Sequence, residues 1–209
     1  MSGGRRAPRR RAVVERNTAE TKVRVELDLD GSGVCDVSTG IGFYDHMLGQ
    51  LARHGGLDLT VRVEGDLHVD AHHTVEDTAL ALGAALAEAL GDKAGIRRFG
   101  DALVPLDEVL VQAAVDLSGR PYVVHSEPPL APFVGGTGPV FPTSLTRHVW
   151  ESFGHSARIA LHVTVVRAGA TPDAHHVIEA QCKAVARALR DAVRVEDPTG
   201  SVPSTKGVL

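Results

Sequence analysis

The chain has 209 residues, of which 43% are hydrophobic and 23% charged, with a formal net charge of −4. These values are ordinary for a soluble globular protein of one large domain or two small ones, and the charge gives no general attraction to nucleic acid. Cys35 and Cys182 cannot form a disulfide framework, and no membrane-spanning run or signal peptide is present, so we expect a cytoplasmic protein without membrane or nucleic-acid partners.

The N-terminal segment is rich in arginine, with five among Gly, Ser and Pro in the first eleven residues. One interpretation is a basic arm that binds nucleic acid or a membrane. A disordered, solvated extension is favoured, because the segment has no aromatic residue and the rest of the chain is acidic. We therefore predict a disordered basic tail over residues 1–17 and assign it no function.

The first half of the remaining chain alternates between strand and helix patterns. Apolar residues recur every second position in the strands and with helical spacing in the helices. The predicted elements are, in order, strands at 21–29 and 34–37, a helix at 43–54, a strand at 57–63 and a helix at 72–90. Asp30–Gly33 predicts a hairpin-type turn between the first two strands, and Gly55 and Gly91 mark helix ends.

The second half repeats this order. Its predicted elements are strands at 109–117 and 121–124, a helix at 143–153, a strand at 157–166 and a helix at 174–193. We therefore predict an α+β fold, an internally duplicated two-layer α/β sandwich with halves at residues 18–98 and 99–209. The two halves could place their helix faces opposite each other, within one chain or across subunits, so that a site forms at their seam.

The sequence His-His-x-x-Glu occurs twice, and each copy has a further histidine upstream. In a helix, residues i and i+4 share a face, so the first histidine and the glutamate of each copy can reach one metal. The second histidine points about 100° away, toward another centre. These eight groups predict two metal ions, each with three imidazoles and one carboxylate: His46, His72, His73, Glu76, His148, His175, His176 and Glu179.

The ligand types narrow the choice of metal without fixing it. No cysteine belongs to the pattern, so a structural zinc site of the finger type is not expected. Imidazole and carboxylate together suit Mn, Fe, Co, Ni or Zn. Four protein ligands on a six-coordinate ion would leave two positions for substrate or water, which is typical of a catalytic site.

Cationic residues at turns and in the C-terminal tail indicate an anionic substrate. Arg98, Arg120 and Lys206 are candidates for a phosphate clamp. Two other functions remain open: a binuclear hydrolase that makes hydroxide from water, and a non-enzymatic assembly in which metals only join subunits. A purely structural metal needs no phosphate anchor, so the cationic set argues against the latter.

The chain resembles the imidazoleglycerol-phosphate dehydratase family at six segments, and the resemblance runs from about residue 18 to the C-terminus. The segments are Phe43–Leu48, Ala71–Asp77, Gly95–Gly100, Leu117–Tyr122, His175–Ala180 and Ser204–Leu209. Cys182 and Trp150 stand where the family often has phenylalanine, and we expect these departures to affect packing and not the chemistry.

The resemblance implies dehydration of D-erythro-imidazole-glycerol phosphate to imidazole acetol phosphate in histidine biosynthesis, with two Mn(II) ions on the same eight groups. It implies trimers stacked into a 24-subunit shell with metal sites shared between subunits, and a fold resembling ribosomal protein S5 domain 2. It also implies substrate contacts from Glu20, Gln50, Arg98, Arg120, Ser204 and Lys206. Elimination requires proton transfer, and Glu179 or Glu20 is the expected acid/base.

Overall fold

Two four-stranded sheets and four helices make up most of the chain in the computed structural model, which describes residues 10–197 and 200–207. The first half contains β1 (Arg11–Asn17), β2 (Thr21–Asp28), β3 (Cys35–Ser38), α1 (Gly42–Gly55), β4 (Asp58–Gly65) and α2 (His72–Leu90). The second half contains β5 (Phe99–Leu106), β6 (Val109–Asp116), β7 (Tyr122–Ser126), β8 (Phe133–Val134), β9 (Phe141–Pro142), α3 (Leu145–Ala157), β10 (Ala160–Arg167) and α4 (Ala174–Ala192).

The two sheets have the same topology. Their strand orders are β1-β2-β4-β3 and β5-β6-β10-β7, and in each the last pair is parallel while the others are antiparallel. A parallel pair needs a crossover connection, which α1 supplies between β3 and β4 and α3 between β7 and β10. Each half is therefore one copy of the same unit, and the second half also contains the short β8–β9 hairpin.

The four helices lie between the two sheets. Helix α2 packs on β1 and β2, and α4 packs on β5 and β6, while α1 contacts α4 and α2 contacts α3. Strand alternation explains the inner faces: Val23, Val25 and Leu27 of β2 are buried and the residues between them are exposed. The predicted duplicated α+β fold is confirmed, and the helix faces of the two halves meet within one chain.

The prediction of a disordered tail over residues 1–17 is wrong for Arg11–Asn17, which form β1. This strand pairs antiparallel with β2 along its whole length. It is held because Ala12 is buried against the core, and because Arg11 and Arg16 form ion pairs with buried Asp28 and Asp77. Residues 1–9 of the predicted tail lie outside the described residues.

The predicted hairpin at Asp30–Gly33 is also wrong. The turn leads into β3, but β3 pairs in parallel with β4 and not with β2. The reason is that both edges of β2 are occupied, one by β1 and the other by β4. None of the described helices is long and apolar enough to cross a membrane.

Candidate metal centre

One cluster of potential ligands lies where α1 meets α4. His46 comes from α1, whereas His175 and Glu179 come from successive turns at the start of α4. Glu179 Oε2 lies 3.2 Å from His46 Nε2 and 2.9 Å from His175 Nε2. The ring of Phe43 packs edge-on against the His175 imidazole, with ring centroids 5.3 Å apart.

A second cluster lies where α2 meets α3. His72 and Glu76 come from the first turns of α2, and His148 comes from the start of α3. Glu76 Oε1 lies 3.2 Å from His148 Nε2, and Glu76 Oε2 lies 3.8 Å from His72 Nε2. The His72 and His148 ring centroids are 4.9 Å apart.

Each cluster combines ligands from both halves of the chain. His46 precedes the first His-His-x-x-Glu copy in sequence but meets the second copy in space, and His148 meets the first. This exchange follows from the packing of α1 on α4 and of α2 on α3. Within each cluster one ligand atom from every member lies within 4.8 Å of the others, a spacing that a single ion could bridge.

The second histidine of each copy points away from both clusters. His73 Nδ1 lies 3.0 Å from Asp66 Oδ2, and His176 Nδ1 lies 3.0 Å from Glu108 Oε2. Their Nε2 atoms face a second carboxylate at a longer distance of 3.7 Å, Glu20 for His73 and Asp107 for His176. The described part of one chain thus gathers six of the eight predicted ligands into two clusters and leaves two imidazoles facing outward.

The electrostatics of these groups follow from their contacts. Burial alone would raise the pKa of Glu179, but hydrogen bonds from Lys183, His46 and His175 outweigh it and lower the pKa to about 2. Lys183 Nζ lies 2.7 Å from Glu179 Oε1. Lys183 was not among the predicted site residues, although its position one helical turn after Glu179 could have indicated this contact.

The outward histidines are influenced by their carboxylate neighbours. The hydrogen bond with Asp66 raises the pKa of His73, and that with Glu108 raises the pKa of His176. The pKa of Glu108 is lowered to about 2, first by the backbone N–H of Asp173 and then by His176. Both imidazoles are therefore held in charge-assisted contacts.

The residues present fit a divalent metal. Two imidazole nitrogens and a carboxylate in each cluster are the donors that Mn, Fe, Co, Ni and Zn accept in proteins. His148 Nε2 is buried and has no hydrogen bond to any described residue, although Glu76 is close. A buried nitrogen without a hydrogen bond is costly, and a metal ion would give its lone pair a partner.

Gln50 and Glu20 lie beside the histidines, as a substrate contact would require. Gln50 follows His46 by one helical turn, with its Nε2 3.5 Å from His46 Nδ1. Glu20 stands in the β1–β2 turn, half-exposed, near His73. Buried Asp77 holds this turn by accepting hydrogen bonds from side chains on both sides of Glu20, namely Arg16, Thr18 and Thr21.

The predicted phosphate residues lie around the start of the second sheet. Arg98 pairs with Asp116 at 2.7 and 3.1 Å and donates from its remaining nitrogen to the carbonyl of Pro203, which brings the C-terminal segment alongside. Ser204 follows in that segment, and Lys206 and Arg120 are exposed. No hydrogen bond or ion pair within residues 10–197 and 200–207 joins these cations to either histidine cluster.

Comparison with known proteins identifies one family. Residues 39–189 match the family described as imidazoleglycerol-phosphate dehydratase. A protein of that name from Salinispora tropica is 71% identical over 205 residues, covering 96% of this chain and 99% of the relative. One from Parafrankia is 64% identical over 200 residues, with the same coverage.

Solved structures give the same result. The crystal structure of imidazoleglycerol-phosphate dehydratase from Staphylococcus aureus aligns with a TM-score of 0.75 and 31% identity, covering 88% of this chain and 100% of that one. A structure of the Pyrococcus furiosus enzyme aligns with a TM-score of 0.77 and 32% identity, covering 94% of this chain and 100% of that one. The similarity therefore extends over both halves and both clusters.

Proposed function

Because the chain belongs to the imidazoleglycerol-phosphate dehydratase family and is a hydro-lyase, we propose that it converts D-erythro-imidazole-glycerol phosphate to imidazole acetol phosphate at a dimanganese centre. The family places this dehydration in histidine biosynthesis. The proposed metal chemistry rests on the two clusters at the α1–α4 and α2–α3 contacts. Each consists of two histidines and one glutamate and is assembled from both halves of the chain.

Each cluster would hold one Mn(II) ion through two imidazoles and one carboxylate. His73 and His176 would complete the two ligand sets, each binding through Nε2 the metal ion of a cluster on another copy of the chain. Both imidazoles face away from the clusters of their own chain. The proposal therefore includes a homo-oligomer, in the 24-subunit form built from trimers that the family resemblance implies. The ions would act as Lewis acids that stabilise negative charge developing on the imidazole ring of the substrate.

Phosphate recognition would also require a second copy. Arg98, Arg120, Ser204 and Lys206 supply guanidinium, ammonium and hydroxyl donors, which suit a phosphate group. These donors form no contact with the histidine clusters of the same chain among the described residues. Gln50, beside His46, would instead contact the part of the substrate nearer the ring.

The acid/base role suits Glu20 better than Glu179. Both oxygens of Glu179 are engaged, one by His46 and His175 and the other by Lys183, which is typical of a ligand. Glu20 is half-exposed, and its carboxylate forms no hydrogen bond within the described residues but lies 3.7 Å from His73 Nε2. Its carboxylate would take the proton from the second carbon away from the imidazole ring, and the hydroxyl on the carbon next to the ring would leave as water after protonation. The enol formed in this way would then tautomerise to the ketone of imidazole acetol phosphate.

A cytoplasmic location is part of the proposal. Both cysteines are free thiols, one exposed and one buried, which suits a reducing compartment. An enzyme of amino-acid biosynthesis would also find its phosphorylated substrate there.

The proposal is tested by removing metal with a chelator and adding Mn(II) back while imidazole-glycerol phosphate dehydration and molecular mass are followed. Activity that returns with about two ions per chain, together with a rise in mass to a large assembly, supports it. Two ions per chain without dehydration would retain the binuclear centre and overturn the reaction, and phosphatase activity on simple esters would then indicate a hydrolase.

A further inference from the structure

Each outward-facing histidine has a carboxylate on its Nδ1 atom, and the two halves obtain it from different elements. For His73 it is Asp66, which follows β4, at 3.0 Å. For His176 it is Glu108, which lies in the β5–β6 turn, also at 3.0 Å. The duplicated fold does not require this coincidence, because the two carboxylates occupy non-equivalent positions of the repeat. The same contact is therefore made in the two halves by carboxylates from different elements.

A carboxylate on Nδ1 decides what Nε2 can do. An ionised carboxylate only accepts hydrogen bonds, so the imidazole must carry its proton on Nδ1. In the neutral ring this leaves the Nε2 lone pair free to bind a metal, and the contact also fixes the plane of the ring. Without the carboxylate, the proton could sit on Nε2 and block it as a ligand.

We infer that Asp66 and Glu108 are positioning residues, which hold the outward imidazoles as Nε2 metal donors for a neighbouring copy of the chain. The inference rests on the proposed function, since it needs the metal centre to be shared between subunits.

Glu108 acts on the helix as well as on the ring. Its Oε1 accepts the backbone N–H of Asp173 at 3.0 Å, while its Oε2 accepts from His176 Nδ1. Asp173 is the N-cap of α4 and in turn accepts from the backbone N–H of His175. Both carboxylate oxygens are therefore needed, one to anchor the start of α4 and the other to orient the imidazole.

Asp66 uses only one oxygen for its histidine. Its Oδ2 contacts His73, whereas its Oδ1 is buried and has no hydrogen bond to a described residue. The two carboxylates therefore make different predictions for amide substitution. In Glu108→Gln one acceptor oxygen must serve two donors, so one of them loses its partner. In Asp66→Asn the remaining oxygen can still accept from His73.

The experiment is a Mn(II) titration of the metal-free full-length protein by calorimetry, with assembly followed by light scattering. Removing a carboxylate that orients a metal-bound histidine lowers metal affinity by about 10- to 100-fold. We expect Glu108→Gln to lower the affinity for one of the two Mn(II) ions by this factor and to leave the affinity for the other unchanged. Asp66→Ala should lower the affinity for the other ion, and the double variant should lower the affinity for both. Asp66→Asn should retain most of the wild-type affinity.

Controls separate positioning from general loss of structure. Glu64→Gln is a matched substitution at an exposed glutamate on the first sheet, and it should leave the affinity for both ions unchanged. Circular dichroism of the metal-free variants checks that each is folded. If the wild type binds two ions and Glu108→Gln lowers the affinity for both equally, or for neither, the inference is wrong and the proposed function stands. If the wild type itself binds no Mn(II), the proposed function fails and the inference with it.

Discussion

The side chain of Gln181 connects the two helices that carry the second-half ligands, and its replacement by leucine should be strongly destabilising. Its Oε1 accepts from Trp150 Nε1 of α3 and from His125 Nε2 of β7, each at 2.9 Å. Its Nε2 donates to Glu127 Oε2 at 2.8 Å. Trp150 can only donate, which fixes the orientation of the amide and requires His125 to carry its proton on Nε2.

The magnitude follows from what Gln181→Leu leaves behind. Gln181, Trp150 and the His125 side chain are almost completely buried, so two donors would lose their acceptor without access to water. Each such group costs about 1–3 kcal/mol. Glu127 is 17% exposed and can partly rehydrate, so it adds less. We expect a total loss of about 3–5 kcal/mol in the free energy of unfolding.

A double-mutant cycle with Trp150→Phe isolates the bond between the helices. Once the indole N–H is absent, Gln181→Leu leaves one fewer buried donor unpaired. The two substitutions together should therefore cost about 1–2 kcal/mol less than their sum. The assay is urea unfolding of the metal-free protein at a fixed concentration, because assembly and bound metal would otherwise shift the transition. A loss below about 1 kcal/mol for Gln181→Leu, or simple additivity in the cycle, would refute the reasoning.

Three further predictions concern the site. Glu20→Gln should lower kcat by about 10²- to 10⁴-fold with unchanged Mn(II) content, and steady-state kinetics with unchanged turnover would remove Glu20 from proton transfer. Arg98→Ala should mainly raise KM for the phosphorylated substrate, whereas exposed Arg97→Ala serves as the control; an unchanged KM would reject the phosphate role. Burial raises the pKa of Asp77, but the hydrogen bond from Thr21 and the ion pair with Arg16 outweigh burial and lower this pKa below its ordinary value of 3.8. The ionised Asp77 therefore stabilises the fold above pH 3.8, and this stabilisation is lost as the pH falls further. In a plot of melting temperature against pH, Asp77→Asn should flatten the acid limb. Parallel curves for the wild type and the variant would contradict this.

Local signals predicted the ligand-bearing helices well. Helix α2 was predicted over 72–90 and is observed at His72–Leu90, because an Ala/Leu-rich stretch ends at Gly91. Helix α1 ends at Gly55, one residue beyond the predicted range of 43–54, with Gly56 in the left-handed conformation that glycine favours. The relative directions of the two adjacent histidines in each motif follow from helix geometry alone.

The pairing of ligands could not be predicted in the same way. Nothing local shows that His46 meets His175 and Glu179 and not the nearer His72, because that depends on which helices pack across the two halves. Asp66 and Glu108 were missed for a similar reason, since their contacts with histidine arise from loops separated from it in sequence. The strand β1 was missed because the arginine-rich composition around it indicated a solvated tail, whereas antiparallel pairing with β2 stabilises the segment as a strand.

Trp150 was expected to affect packing and not the chemistry. It donates to Gln181, a polar partner that a phenylalanine at this position could not engage. Composition cannot show such a bond, because the two residues lie 31 positions apart on different helices and meet only in the folded chain.

The most direct test of the account is the Mn(II) content of paired histidine substitutions. The wild type should bind two ions per chain. His46→Ala combined with His175→Ala removes two ligands from one cluster and should leave one ion, whereas His46→Ala combined with His72→Ala damages both clusters and should leave none. Loss of both ions in the first pair, with retention of one in the second, would contradict the assembly of each cluster from both halves of the chain.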